Sequence, residues 1–162
     1  MDETIKRRLA TEWKKLAAGS VFSVQDFSVA LSKRQFLSFL SAYLDQGEVS
    51  QVVPNIYYKI KFSNLFNPPR ALPPDLSKVL AAITRLTGKI FQYDGGYCAN
   101  RLGLSTQVPL YHVLHTSGSS RRFKLAGLDV VLNHMDVKLI KAIKDQLSLE
   151  EYAKLLSADL PK

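Results

Sequence analysis

The sequence predicts an α+β protein in two parts, and three observations predict it. Between Ser20 and Lys61 the apolar spacing changes once, from helical over residues 32–46 to alternating over 48–53 and 56–61. Pro68, Pro69, Pro73 and Pro74 then interrupt any regular element. Beyond them, helical spacing over 75–88 gives way to three β-rich runs between Tyr111 and Asn133.

Residues 4–18 form the first predicted helix, with Ile5, Leu9, Trp13 and Leu16 on one face and Lys6, Arg7, Lys14 and Lys15 opposite. Thr4 or Asp2 can cap it, and Gly19 ends it. Ser20–Ser23 is a short apolar entry, residues 24–30 read as two helical turns, and Leu31-Ser32 is a tight break. The next helix, 32–46, carries Phe36, Leu37, Leu40, Tyr43 and Leu44 on one face, with Ser32 as N-cap and Gly47 as stop. Two strands follow, joined through Pro54-Asn55. Two short helices at a tight turn, the second followed by a hairpin, make a winged helix-turn-helix. Its second helix enters the major groove, and its hairpin lies along the backbone or minor groove.

The residues that helix leaves outside its apolar face are Ser32, Lys33, Arg34, Gln35, Ser38 and Ala42. Lys and Arg neutralise phosphate or bond guanine, Gln pairs with adenine, and Ser bonds either. In the hairpin, Asn55 lies at the turn, and Lys59 and Lys61 suit phosphates better than bases. Arg121 and Arg122, next to the flexible Ser117–Ser120, are further candidates for backbone contacts.

Residues 62–74 are expected as an extended connection, with Phe62, Leu65 and Phe66 packed against a domain. Asp75–Gly88 is a helix, 89–93 a strand, Asp94-Gly95-Gly96 a turn, and Tyr97–Leu102 a short helix finishing at Gly103. Strands are expected at 111–116, 121–125 and 128–133, then helices at 137–147 and 149–156, the last capped by Ser148. The predicted organisation is a winged helix-turn-helix over 1–62, a Pro-rich connection over 63–74, and a small mixed α/β domain over 75–162. That domain has an antiparallel β-rich core and C-terminal helices.

A chain of 162 residues with 46% hydrophobic and 22% charged residues has ordinary globular composition, too short for a large catalytic domain. Its formal charge of +8 favours an acidic partner, with nucleic acid the first choice. Residues 1–62 hold nine Lys/Arg against six Asp/Glu, and residues 63–135 hold eight against three, so the middle segment is the more basic. Cys98 is the single cysteine, which excludes an intrachain disulfide and fits a reducing compartment. No secretory signal and no run of the ~18–20 apolar residues a membrane span needs is visible, so a cytoplasmic location without membrane contact is expected.

The stretch Tyr97-Cys98-Ala99-Asn100-Arg101-Leu102-Gly103-Leu104-Ser105-Thr106-Gln107-Val108-Pro109, followed by a strand and Thr116-Ser117-Gly118, resembles the core signature of AbiEi-type antitoxins. In that family a helix with Y-A-x-x-L-G-L-[ST]-T-Q-V-P leads to strands with a [ST]-x-G turn. Gly19–Ser23, Ser32-Lys33-Arg34, Gly47-Glu48-Val49 and Tyr57-Tyr58-Lys59 also follow the family's order. Where the family often has Arg-Gly before the wing tyrosines this chain has Asn55-Ile56, and it has Ala42 near a common basic position. The resemblance implies a cytoplasmic DNA-binding autorepressor, the antitoxin of a type IV toxin–antitoxin pair. Its partners would be operator DNA and a nucleotidyltransferase-like toxin encoded nearby, with a homodimer on inverted repeats a further expectation. The rivals are a module that neutralises a toxin by direct binding, and a solitary regulator without a toxin.

Enzyme chemistry finds little footing, and no cofactor is expected. His112 and His115, three apart on a strand, point to opposite faces, and His134 brings no Cys or carboxylate pair to complete a metal set. Gly95-Gly96 lacks the other glycines and the Lys of a phosphate-cradling loop. Cys98 lies on an apolar helical face, where a thiol acts as a small hydrophobe.

Overall fold

The computed structural model describes residues 2–94, 106, 111–125 and 128–146. The chain divides into two compact units, Met1–Thr87 and Gly88–Lys162. Together they make a mixed α+β protein.

In the first unit, α1 (Glu3–Lys15) and α2 (Lys33–Asp45) pack on a three-stranded antiparallel sheet in the order β1-β3-β2, with β1 at Val21–Phe22, β2 at Val49–Val53 and β3 at Ile56–Lys59. The apolar stripes read from the sequence supply this core: Leu9 and Trp13 from α1, Phe36 and Leu40 from α2, Phe22, Val49 and Tyr57 from the strands. Phe22 stands at its centre, with ring centroids 5.7 Å from Trp13, 6.0 Å from Tyr57 and 5.9 Å from Phe27. These edge-on and tilted pairs add to plain area burial.

The pairing of Val21 with Tyr58 and Phe22 with Tyr57 means that successive residues face opposite sides of the sheet. Phe22 and Tyr57 face α1 and α2, so Val21, Ile56 and Tyr58 need a second cover. It comes from α3 (Leu76–Thr87), which packs on β1 and β3 and buries Val79, Leu80, Ala82 and Ile83. Arg85 Nε donates to Asp26 Oδ1 at 3.0 Å. The helix over 75–88 was expected to open the second domain, but it belongs to the first unit, and the division falls at Thr87/Gly88 instead of within 63–74. Asp75 starts α3 by accepting the Ser77 N–H at 2.8 Å, and Gly88, at φ +69°, ends it.

Two further local expectations are corrected. Residues 24–30 do not form two helical turns, since only a 3₁₀ turn, Val24–Asp26, is present. The Asp26 carboxylate accepts from the Ser23 backbone N–H at 2.7 Å and its hydroxyl at 3.0 Å, closing the turn after three residues. Phe27 and Val29 are then buried while Ser28 and Ala30 are exposed, a period of two that no helix can present. The Pro-rich connection contains a hairpin, β4 (Lys61–Ser63) paired with β5 (Arg70–Leu72). Phe62, Leu65 and Phe66 are exposed on it and not packed: Phe62 pairs with Ala71 on the face opposite the buried Ser63.

The second unit is built on a four-stranded sheet in the order β6-β7-β9-β8, with β6 at Phe91–Tyr93, β7 at Tyr111–Thr116, β8 at Arg121–Leu125 and β9 at Leu128–His134. The three strands expected between 111 and 133 are present, but the sheet is not wholly antiparallel. Strand β8 folds back on β9, Leu125 opposite Leu128, which leaves β9's other edge to pair in parallel with β7. Leu114, Thr116, Leu125, Val130 and Leu132 are buried, with Ile140 of α4 (Val137–Gln146). Helix α4 packs on β6 and β7. The expected turn at 95–96, the helix at Tyr97–Leu102, the helix at 149–156 and most of the 97–109 motif lie outside the described residues. No helix among the described residues is long and apolar enough to cross a membrane.

Candidate nucleic-acid interface

Helix α2 begins with a closed cap. The Ser32 hydroxyl accepts the Gln35 backbone N–H at 3.2 Å, and Gln35 Oε1 accepts from the Ser32 N–H at 3.0 Å and its hydroxyl at 2.9 Å. That reciprocal capping fixes the first turn, and it engages the Gln35 amide oxygen that was expected to be free for a base. Phe36 and Leu40 turn inward, which leaves Lys33, Arg34, Ser38 and Ala42 exposed on the outer side, as a 3.6-residue period requires. Leu37, assigned from spacing to the buried face, is 38% exposed and belongs with them, as does Ser41.

The charges of α2 run against its own dipole. A helix favours acids in its first turn and bases in its last. In α2 the first turn holds Lys33 and Arg34 with no acid, the last turn holds no base, and Asp45 stands at the C-terminal end. Helix α1 follows the rule, with Glu3 at the start and Lys14 and Lys15 at the end. Two cations beside the open N–H groups of a helix start concentrate positive potential, the local chemistry that attracts phosphate.

The hairpin β2–β3 turns at Pro54-Asn55, with Asn55 at φ +66°, a left-handed conformation that Asn tolerates better than most side chains. Lys33 and Asn55 meet at one concavity of about 210 Å³, lined also by Val24, Phe36, Tyr57 and Leu86. Burial beside it pushes the Tyr57 phenol above its ordinary pKa.

The two lysines expected to hold phosphates have separate fates. Lys59 Nζ donates to the carbonyls of Trp13 at 3.1 Å and Leu16 at 2.8 Å, and lies 4.3 Å from the Trp13 ring centre. Its charge caps the C-terminus of α1 and is engaged within the fold. Lys61 is exposed. Arg121 and Arg122 belong to β8 in the second unit, where Arg122 donates to Asp129 Oδ2 at 2.7 Å and Arg121 lies 5.7 Å from the Phe123 ring centre. That bond holds Asp129 below the ordinary carboxylate range.

A second basic surface was only half legible. Arg7, Arg8, Thr11, Glu12, Lys15 and Ser28 line a concavity of about 290 Å³. Glu12 accepts from the Ser28 backbone N–H at 3.0 Å and from its hydroxyl, a contact sixteen residues apart that periodicity cannot reveal.

The histidines are separated by their partners. His115 Nε2 lies 3.3 Å from Asp94 Oδ1, and His134 Nδ1 lies 2.8 Å from the Gly118 carbonyl. Among the described residues no three His, Cys, Asp or Glu side chains are grouped as metal ligands.

Neither a curated protein nor a solved structure matches the chain. One family model matches residues 8–153, and the chain therefore belongs to the family of unknown function DUF6088.

Proposed function

We propose that this protein is a cytoplasmic DNA-binding transcription regulator that reads operator-like duplex through α2, in the manner of a winged helix-turn-helix. The observation that carries the reading is the outer face of α2, where Lys33 and Arg34 are exposed at the helix start against the dipole's preference. The order of elements supports it: α2 leads straight into the hairpin β2–β3, and β1 pairs with β3 to brace that hairpin against the helices. Lys33, Arg34 and Ser38 would contact base edges or adjacent phosphates, Ala42 would meet a thymine methyl, and Lys61 would hold the backbone. Lys59 takes no part.

The test is titration with duplex taken from upstream of the protein's own gene, against a scrambled duplex of equal length. Arg34→Ala should cost about 1–3 kcal/mol of discrimination between the two. Lys61→Gln should weaken both equally and reduce the salt slope by about one. Equal affinity of the unaltered protein for both duplexes would remove sequence reading.

On the resemblance of residues 97–109 to AbiEi-type antitoxins, we further propose that the regulator represses its own operon and counters a nucleotidyltransferase-like toxin encoded beside it. Expression of the neighbouring gene should then arrest growth, and coexpression of this chain should relieve the arrest. A neighbour that is harmless alone would leave a solitary regulator.

A further inference from the structure

Eight large hydrophobic side chains are exposed among the described residues, and four of them, Phe62, Leu65, Phe66 and Leu72, fall in the one hairpin β4–β5. Single exposed apolar residues are ordinary, whereas a local cluster needs a partner. Leu65, at the tip, is 91% exposed and Phe66 46%. The hairpin is nonetheless held in place. Tyr58, itself buried, donates its hydroxyl to the Leu72 carbonyl at 3.0 Å, and the Tyr58 hydroxyl oxygen accepts the Lys61 N–H at 3.4 Å.

Within the hairpin itself the charge is of one sign. No Asp or Glu occurs from Val49 to Pro74, while Lys61 and Arg70 stand in the two paired strands. Lys61 pairs with Leu72 and Ser63 with Arg70, so both cations share one face of the hairpin. Arg70 reaches towards the tip, its guanidinium 4.8 Å from the Phe66 ring centre. An apolar tip on a braced, acid-free, doubly cationic stem fits a polyanion with stacked flat faces. Proteins that bend duplex DNA insert apolar wedges between base steps while basic side chains hold the flanking phosphates.

We propose that β4–β5 is such a wedge: Leu65 and Phe66 enter a base step of duplex DNA from the minor groove, and Lys61 and Arg70, on one face of the hairpin, hold the adjoining phosphates. The proposal rests on the DNA-binding reading above but uses a different element from α2. The hairpin would bend the duplex and favour easily unstacked pyrimidine–purine steps, adding a sequence preference that needs no hydrogen bond to a base.

The test uses the full chain and a mixed-sequence duplex about three helical turns long, with 2-aminopurine placed beside pyrimidine–purine steps. Saturating protein should raise the aminopurine fluorescence as stacking is lost. Leu65→Ser/Phe66→Ser should abolish that rise and weaken binding about tenfold or more, since two apolar side chains no longer leave water. The salt slope should stay the same, because neither residue neutralises a phosphate. Lys61→Gln/Arg70→Gln should lower the slope by about two, and Leu65→Met/Phe66→Trp should restore the fluorescence. Should the double serine variant unfold, Leu65→Ser alone, at an almost wholly solvated position, carries the same comparison. Duplex binding that depends on Arg34 but leaves aminopurine silent overturns the wedge and keeps the α2 reading; absence of duplex binding at any salt overturns both. Loss of a dimer in sedimentation, or of binding to phosphatidylserine vesicles, on Leu65→Ser with unaltered aminopurine response would give the hairpin to self-association or to a membrane surface, and overturn the wedge.

Discussion

Helices α1 and α2 are each thirteen residues long and share one core, yet they treat charge in opposite ways. Helix α1 has Glu3 in its first turn and Lys14 and Lys15 in its last, and a third cation, Lys59, bonds the carbonyls at its end. Helix α2 has its bases first and an acid last. Both bury two large apolar side chains, so packing stabilises both, and the contrast lies in what each asks of its surface. Glu3, Lys14 and Lys15 suit the dipole of α1, and Lys59 caps its end. The terminal charges of α2 oppose its dipole, and this departure from the local rule is what the proposed reading of α2 rests on.

The largest effect is expected at Lys59. Lys59→Met keeps an apolar stem over Trp13 but leaves the Trp13 and Leu16 carbonyls without their charged donor. Two charge-assisted bonds and a cation–π contact are lost, and the first unit should lose about 1–3 kcal/mol in chemical denaturation. Duplex affinity per folded molecule should stay constant. If Lys59→Met instead weakens duplex binding with stability unchanged, the lysine points outward and the contrast with Lys61 disappears.

A smaller and opposite effect is expected on α2. Lys33→Glu and Arg34→Glu each place an acid in the first turn, which should stabilise the fold by about 0.3–1 kcal/mol at low ionic strength. The same substitutions should remove duplex binding, by repelling phosphate where they formerly attracted it. Gain in stability with loss of binding is the signature of a charge retained for a partner. Destabilisation by either change would show that these cations support the fold, and α2 would then be no different from α1.

The sequence made the first unit's framework legible because its signals are local. Ser32, Gly47, Asp75 and Gly88 are caps and stops that act within a turn, and each works where spacing placed it. Pro54-Asn55 forecast the hairpin for the same reason. What escaped were decisions made between distant residues. Nothing near Lys59 indicates that its ammonium meets carbonyls more than forty positions earlier. The helix over 75–88 followed a proline-rich stretch and so read as the start of a new domain, but the uncovered face of β1 and β3 claimed it. Likewise β7 and β9 pair in parallel only because β8 takes β9's other edge. For the candidate site, periodicity put Lys33, Arg34, Ser38 and Ala42 on the exposed side of α2, where they lie. It misassigned Leu37 at the rim of the apolar stripe, and it could not see that the Gln35 side chain closes the cap.

The smallest effect tests how tightly α1 is tied to the rest of its unit. Glu12 is held below the ordinary glutamate pKa, first by the Ser28 hydroxyl, then by the Ser28 backbone N–H, with Arg8 and Lys15 adding to it and burial opposing. A carboxylate whose pKa is lowered on folding binds protons less readily in the folded state than in the unfolded one. Its contribution is therefore fully present above the unfolded value of about 4.3 and is lost as pH falls through the folded value. The group is near the surface, where water competes, so the contribution should stay below about 1 kcal/mol. Glu12→Gln and Ser28→Ala should each lower stability slightly at neutral pH and make the decline in the acid limb shallower. They should converge on the unaltered protein once Glu12 is protonated. An acid limb that Ser28→Ala leaves unchanged would mean that the bond joining α1 to the segment before α2 adds nothing, and that α1 serves its fold through its termini and its apolar stripe alone.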